Sequence, residues 1–252
     1  MDYKKYDKDG NLLNLIPLAN RAKQANYYQK LQDDPDWLEP TPEDIKCELQ
    51  LQALNFWEPL AFKIDVSHFM KEVKALDGRW VPYLRREGLL NDREGISLMG
   101  LPNATMEEGL SMPEACKKAG RRLSETEFNT PTEAYDMLPS LHNLLDYFQP
   151  LGRTMLVKAN AGGFFPPHKD HPHLTRDTFR VVAFPSWNVT KDEFDWEMEN
   201  TKVPIKPGGV YYCDTRKTHR TACWVPDSIH LILNIPKTWE NVIKLMSMTK
   251  AF

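Results

Sequence analysis

The sequence has few cysteines and lacks a long apolar run. Its 252 residues include 4 Cys without a C-x-x-C pair or a regular spacing, so a disulfide framework is not expected. No apolar stretch approaches the roughly 18 residues that a membrane span needs. The charged opening MDYKKYDKDGN has no apolar segment of the secretory type behind it. These features predict a reduced, cytoplasmic protein without a membrane partner.

The chain also lacks an excess of basic charge and the commonest catalytic motifs. The formal net charge is −3 at pH 7 and the basic residues are scattered, so a nucleic-acid partner is not expected. The motifs G-x-S-x-G, G-K-[ST] and G-x-G-x-x-G are absent. This leaves out the serine hydrolases, P-loop enzymes and dinucleotide-binding enzymes that carry them.

Of the residues in the chain, 41% are apolar, which is enough for one large core. The two halves of the chain differ in the residue pattern that they carry. Residues 1–149 are predicted to form a mainly helical region that packs on a core formed by residues 150–252, within one compact domain. Pro139 should interrupt the last of the predicted helices. The helix candidates are residues 20–32, TPEDIKCELQLQAL, DVSHFMKEVKALDG and TPTEAYDMLPSLHNLLDYF.

The second half reads as short strands separated by turn residues. The segments are rich in β-branched and aromatic residues, and no long helical segment lies between them. Antiparallel strands in a sandwich or barrel are therefore expected, supported by a helical N-terminal layer. The strand candidates are GRTMLVKANA, DTFRVVAFPSW, GGVYYCDT, HRTACWV and IHLILNIP.

The stretch FPPHKDHPH packs three histidines and an aspartate into residues 165–173. The two prolines favour an extended backbone, on which side chains alternate between faces. His168 and Asp170 then point to one side, and Lys169 and His171 to the other. His173 follows a proline and belongs to the next turn. His-x-Asp on one strand face is a ready pair of metal ligands.

A third ligand must come from elsewhere in the fold. In the β half, His219 and His230 remain, and His219 stands just before a predicted strand. Two neutral imidazoles and one carboxylate form the facial triad of non-haem iron(II) oxygenases, which leaves coordination positions open. A keto acid and dioxygen can take those positions. An isolated H-x-D also occurs by chance in surface turns, and the strands around it favour the metal site.

The segment GRTMLVKANAGGFFPPHKDH…TFRVVAF…GGVYYCDTRKTHRTACWVPDSIHLILNI resembles the aspartyl/asparaginyl β-hydroxylase-like branch of the Fe(II)- and 2-oxoglutarate-dependent oxygenases. The likeness covers residues 150–236. It implies an α+β fold with a double-stranded β-helix core (jelly-roll, cupin-like). It also implies an oxidoreductase that hydroxylates an unactivated C–H bond with Fe(II), 2-oxoglutarate and O2, with ascorbate as a possible stimulant.

By this resemblance His168, Asp170 and His219 are the catalytic iron ligands, and Arg180 pairs with the buried carboxylate of 2-oxoglutarate. The chain departs from the family pattern where Val182 replaces a histidine, and where Ser228 replaces a second arginine.

Ser228 and His230 share one strand face and are further candidates for cosubstrate contacts. Alternatively, His230 is a satisfied core histidine, and Arg220 turns inward to supply the second cation.

Two other function classes stay open. The missing second arginine is compatible with a non-catalytic, cupin-like protein that binds a metal or a small ligand. A zinc hydrolase with the same ligands is weaker, since the chain has no H-E-x-x-H helix. The resemblance suggests a small-molecule or peptidyl substrate, namely an amino acid or a related small acid. The sequence does not predict the oligomeric state.

Overall fold

A computed structural model describes residues 40–83, 93–171, 175–190 and 192–249. The predicted helix at 20–32 and His173 lie outside the described residues. The α-helices are α1 (Pro42–Gln52), α2 (Val66–Glu72), α3 (Met112–Ala119), α4 (Glu133–Asp136), α5 (His142–Tyr147) and α6 (Trp239–Met248). The strands are β1 (Trp57–Lys63), β2 (Val81–Pro82), β3 (Arg93–Gly100), β4 (Thr130–Pro131), β5 (Thr154–Ala159), β6 (Phe164–His168), β7 (Thr178–Ala183), β8 (Phe194–Met198), β9 (Thr201–Lys202), β10 (Gly209–Cys213), β11 (His219–Cys223) and β12 (Ser228–Pro236).

The strands form two antiparallel sheets. The larger sheet has the order β1-β10-β7-β12-β5-β3-β2, with β4 beside β3, and the smaller sheet has the order β6-β11-β8-β9. From β5 to β12 the chain alternates between the sheets, with β8 and β9 as one hairpin in the smaller sheet. Successive turns of chain therefore wind around a common interior. This is the double-stranded β-helix, or jelly roll, that the sequence predicts.

The described residues before 150 contribute strands as well as helices, and the sequence did not predict these strands. Strand β1 extends the larger sheet beyond β10, and β3 extends it beyond β5. Pro59 breaks the alternating pattern of β1, and Gly95 together with charged residues begins β3, so neither segment has the usual strand signature. The larger sheet is thus built from both halves of the chain.

The predicted helices in the described part are confirmed, and two further α-helices, α3 and α6, were not predicted. Helix α2 continues into a short 3₁₀ turn at Val73–Leu76, and the helix candidate around Pro139 is divided into α4, a 3₁₀ turn at Pro139–Leu141, and α5. Helix α6, after β12, falls in the stretch predicted to be β core. Among the described residues, none of the helices combines the length and the apolar content that crossing a membrane requires.

Two large apolar clusters make up most of the core of the described residues. The larger one lies between the outer face of the larger sheet and the helices, and includes Phe69, Leu145 and Phe148. The second fills the interior of the roll, where Phe184 and Trp196 are almost completely buried. Because strand side chains alternate between faces, the larger sheet supplies residues to both clusters. The second cluster forms part of the wall of the cavity described next.

Candidate metal centre and its cavity

Strands β6 and β11 bring the three predicted ligands together at one end of the roll. His168 ends β6, His219 begins β11, and the two residues are directly paired in the antiparallel register. Asp170 follows β6, and its backbone N–H donates to the Thr215 carbonyl at 2.9 Å. The candidate ligand atoms of His168, Asp170 and His219 all lie within 4.8 Å of one another. The sequence-predicted triad is therefore assembled in the structure.

Backbone carbonyls fix the tautomer of both histidines. Nδ1 of His168 lies 2.9 Å from the Pro166 carbonyl oxygen, and Nδ1 of His219 lies 2.9 Å from the Lys217 carbonyl oxygen. A carbonyl only accepts hydrogen bonds, so Nδ1 must carry the proton in each ring. Nε2 is then the nitrogen of each ring that is available to a metal.

Asp170 carries a negative charge although its side chain is only 3% exposed. Burial would raise the pKa of this carboxyl, but the guanidinium of Arg180 holds it well below its usual range. Nη1 of Arg180 donates to Oδ2 of Asp170. The other oxygen, Oδ1, lies 3.6 Å from Nε2 of His168. Asp170 therefore offers Oδ1 as an ionised ligand beside the imidazole.

The donor set fits a divalent metal ion. Burial lowers the pKa of His219 to about 4, so this imidazole is neutral at pH 7. Nε2 of His168 lies 3.6 Å from Oδ1 of the ionised Asp170, so a nitrogen and an oxygen ligand stand side by side. A divalent cation can bind between such groups. Two imidazoles and one carboxylate, with no further protein ligand among the described residues, match iron(II) sites that keep positions open for other ligands.

The three ligands line a cavity of about 100 Å³, room for several waters or a small organic molecule. Phe184, Phe194 and Trp196 form an aromatic part of its wall. Polar groups lie at the metal end and around His230 and Arg93. An apolar pocket with a few polar groups is typical of a small-molecule site.

Of the predicted cosubstrate residues, Arg180 and His230 line the cavity. Nε and Nη2 of Arg180 donate to Oδ1 of Asn234 at 3.0 and 2.9 Å, and with the Asp170 contact these use three of its five N–H groups. Burial lowers the pKa of His230 to about 3, helped by the charge of Arg93. His230 is thus a neutral polar group whose buried Nδ1 has no hydrogen-bond partner among the described residues.

Ser228 and Arg220 are not brought to the cavity. The hydroxyl of Ser228 donates to the Asn188 carbonyl at 2.6 Å, and Ser228 is not among the lining residues. Arg220 pairs with Glu197 on the neighbouring strand β8. The structure therefore contradicts the alternative in which Arg220 turns inward.

Sequence reasoning missed the cavity residues that come from the N-terminal half. Arg93 at the start of β3 lies in the cavity wall, with its guanidinium carbon 4.5 Å from the ring centroid of Phe165 and 5.7 Å from that of Tyr83. Both spacings are in the cation–π range. The sequence did not point to Arg93, because β3 was not recognised as a strand of the roll. The sequence also gave no hint of Asn234, which binds Arg180 from β12.

No protein-family model matches the sequence, and no curated protein is significantly similar to it. Several solved structures are similar at low identity. A Trichoplax adhaerens prolyl hydroxylase in complex with a hypoxia inducible factor peptide fragment is 13% identical over 80% of this chain and 93% of its own, with a TM-score of 0.42. The viral collagen prolyl hydroxylase of Paramecium bursaria Chlorella virus-1 is 11% identical over 72% and 96%, with a TM-score of 0.40.

An RmlC-like cupin from Desulfovibrio desulfuricans is 14% identical over 33% of this chain and 71% of its own, with a TM-score of 0.26. This shorter match is with a cupin and not with an oxygenase. The double-stranded β-helix is evident from the strand order itself. The narrower aspartyl/asparaginyl β-hydroxylase branch stays a prediction from sequence.

Proposed function

We propose that this protein is an Fe(II)- and 2-oxoglutarate-dependent dioxygenase that hydroxylates an unactivated C–H bond. The observation that carries this proposal is the convergence of His168, Asp170 and His219 in the wall of a partly aromatic cavity. The substrate class we infer is an amino acid, free or peptidyl, or a related small acid. In the reaction, 2-oxoglutarate and O2 become succinate and CO2, and the second oxygen atom enters the substrate as a hydroxyl.

The residues of the chain have separate tasks in this proposal. His168 and His219 offer their Nε2 atoms, since Nδ1 of each ring lies against a backbone carbonyl, and Asp170 offers one ionised oxygen. When bound, iron(II) supplies the redox chemistry that couples dioxygen to the keto acid. The aromatic wall around Trp196 gives the cavity an apolar surface beside these groups.

The proposal also needs a group that receives the remote carboxylate of the keto acid. Arg180 keeps two N–H groups beyond its contacts with Asp170 and Asn234, and a guanidinium binds a carboxylate well. His230 adds a neutral polar contact further along β12. Four residues separate Asn234, the partner of Arg180, from His230, which corresponds to roughly 13 Å along a strand. The cavity thus has polar groups at two places along its length.

The test is an anaerobic titration of the protein with Fe(II) and 2-oxoglutarate. A visible metal-to-ligand charge-transfer band is expected for the native chain and should be absent in His168→Ala. His68→Ala is the matched control, because it removes an exposed imidazole on α2 that lies outside the cavity lining. An unchanged spectrum on addition of both components to the native chain would end the proposal.

A second candidate is a cupin-like protein that binds a metal and a small ligand without catalysis. The observation in its favour is the position of Ser228, whose hydroxyl is bound to a backbone carbonyl instead of facing the cavity. Incubation with Fe(II), 2-oxoglutarate and ascorbate separates the two candidates. Succinate release supports the dioxygenase, whereas a protein that binds metal but releases no succinate fits the second candidate.

A further inference from the structure

A buried chain of hydrogen-bonded polar groups leads from Asp170 into the core. Arg180 donates to Asp170 and to Oδ1 of Asn234. Nδ2 of Asn234 donates to Oε2 of Glu125 at 3.2 Å, and Nε and Nη2 of Arg153 donate to the two oxygens of Glu125 at 2.6 and 3.0 Å. These five side chains come from five separate segments of the sequence. The chain ends on one of the three candidate metal ligands.

The amide of Asn234 can take only one orientation in this arrangement. Its oxygen accepts from Nε and Nη2 of Arg180, while its nitrogen donates to Glu125 and, at 2.6 Å, to the Arg153 carbonyl. A flipped amide would place its N–H groups against a guanidinium and its oxygen against a carboxylate. Asn234 is 1% exposed, so water cannot compensate a mismatch. The amide therefore fixes where the guanidinium of Arg180 lies.

Glu125 is in turn held firmly by the backbone. It begins a 3₁₀ turn that Ser124 and Glu127 close with reciprocal capping hydrogen bonds. Its own carbonyl accepts from the Arg153 N–H at 2.8 Å, and its side chain is 1% exposed. A bidentate pair between buried charged groups keeps both partners in one geometry. The position of the Glu125 carboxylate is thus fixed, and its hydrogen bond with Asn234 holds the amide in place.

We propose that Asn234 and Glu125 are positioning residues for the metal centre. This inference rests on the proposed function, since it takes Asp170 as a metal ligand. Asn234 holds Arg180 against Oδ2 of Asp170, and the remaining oxygen, Oδ1, is then the one presented beside Nε2 of His168. The consequence is a carboxylate that binds metal through one oxygen, which keeps further coordination positions open. Groups that orient metal ligands commonly affect metal affinity about 10–100-fold.

The test uses cobalt(II) as the probe, because its visible spectrum reports coordination and its binding needs no turnover. Asn234→Leu keeps the side-chain volume but removes the acceptor of Arg180, so cobalt(II) affinity should fall about 10–100-fold. Glu125→Gln is a milder second variant that still removes the charge holding Asn234 and Arg153. A smaller loss of affinity is expected for it, together with a changed cobalt(II) spectrum.

Leu144→Ala is the matched control, because Leu144 is 2% exposed in the large apolar cluster and its loss destabilises the core without touching the polar chain. It should lower the melting temperature and leave cobalt(II) affinity unchanged when measured well below that temperature. Native affinity and spectrum in either folded variant, Asn234→Leu or Glu125→Gln, would overturn the inference and leave the proposed function intact. No cobalt(II) binding by the native chain would instead contradict the metal centre itself. If Asn234→Leu does not fold, the cobalt(II) affinity and spectrum of Glu125→Gln alone test the inference.

Discussion

The buried pair between Glu125 and Arg153 should be coupled strongly enough to measure by a double-mutant cycle. The two side chains are 1% and 6% exposed, and their contacts are bidentate. Nη1 of Arg153 also donates to the Leu110 carbonyl at 2.6 Å, so its guanidinium is held from several sides. Glu125→Leu would leave that guanidinium charged and buried, which costs about 3–5 kcal/mol of unfolding free energy. In a chain of this size that corresponds to a melting temperature lower by roughly 6–20 °C.

The double variant Glu125→Leu with Arg153→Met removes both charges together. Replacing a whole buried ion pair by apolar groups of similar size is often close to neutral. We therefore expect the double variant to be more stable than Glu125→Leu alone, with a coupling energy of about 3 kcal/mol from urea unfolding. Additive effects of the two substitutions would refute the reasoning, because they would mean that the pair acts as two independent side chains.

Three further predictions follow from the site and its surroundings. Cobalt(II) at a hundred times its Kd should stabilise the native chain by about 2.7 kcal/mol in thermal unfolding, and His168→Ala should lose this gain. Gly152→Ala should cost about 1–3 kcal/mol, because the new Cβ would lie 2.7 Å from the Glu125 carbonyl oxygen and 2.8 Å from that of Asn234, and neither backbone atom can move cheaply; urea unfolding without a loss would contradict this close packing. The folded-state pKa of His230, about 3, is below its ordinary value near 6.5, so the unfolded chain takes up the proton first and stability should fall as the pH drops from about 6.5 towards 3, by up to roughly 1.4 kcal/mol per pH unit. His230→Leu should flatten that part of the curve, and an unchanged slope would show that another group is responsible.

The strands of the second half were predictable because their sequences carry the strand signature. The segments around β5, β7, β10 and β12 are rich in Val, Ile, Tyr and Leu, and the segment around β11 contains Thr, Trp and Val. Strand β8 was not predicted, although FDWEM alternates between buried and half-buried positions. Its alternating residues are aspartate and glutamate, and it follows a turn-rich stretch, so the pattern is mixed. Strands β10 and β11 are equally short and were predicted, so the charged residues of β8, and not its length, kept it from being recognised.

The edge strands of the larger sheet could not be predicted from local sequence patterns. Strand β1 contains Pro59 and pairs with β10, and β3 pairs with β5, which is more than fifty residues later in the chain. Which segments join a sheet at its edge depends on long-range pairing that a local period does not encode. This is also why Arg93 was missed, since it reaches the cavity only through the pairing of β3 with β5.

The candidate ligands were predictable for a different reason. Three side chains on two strand ends can be inferred from spacing, because strand alternation places His168 and Asp170 on one side and a jelly roll returns a later strand beside them. The partner of Arg180 could not be inferred in the same way. The sequence suggested an anion from the cosubstrate, whereas the structure has the ionised Asp170 and the amide of Asn234 against that guanidinium. An arginine on a strand signals a buried anion, but not which one.

That difference bears on what Arg180 does in the proposed reaction. A guanidinium bound to Asp170 lowers the negative charge of the ligand set, and since its Nη1 donates to Oδ2, a metal ion would be held by Oδ1. Its two remaining N–H groups can still meet a carboxylate, so one arginine would serve both the ligand and the cosubstrate. Arg180→Lys separates these tasks, because an ammonium keeps the charge but not the fork of donors that reaches Asn234 and Asp170 together. We expect this variant to lose cobalt(II) affinity as well as 2-oxoglutarate affinity, each measured by calorimetry. A loss confined to 2-oxoglutarate would mean that Asp170 needs no help from Arg180 to bind metal.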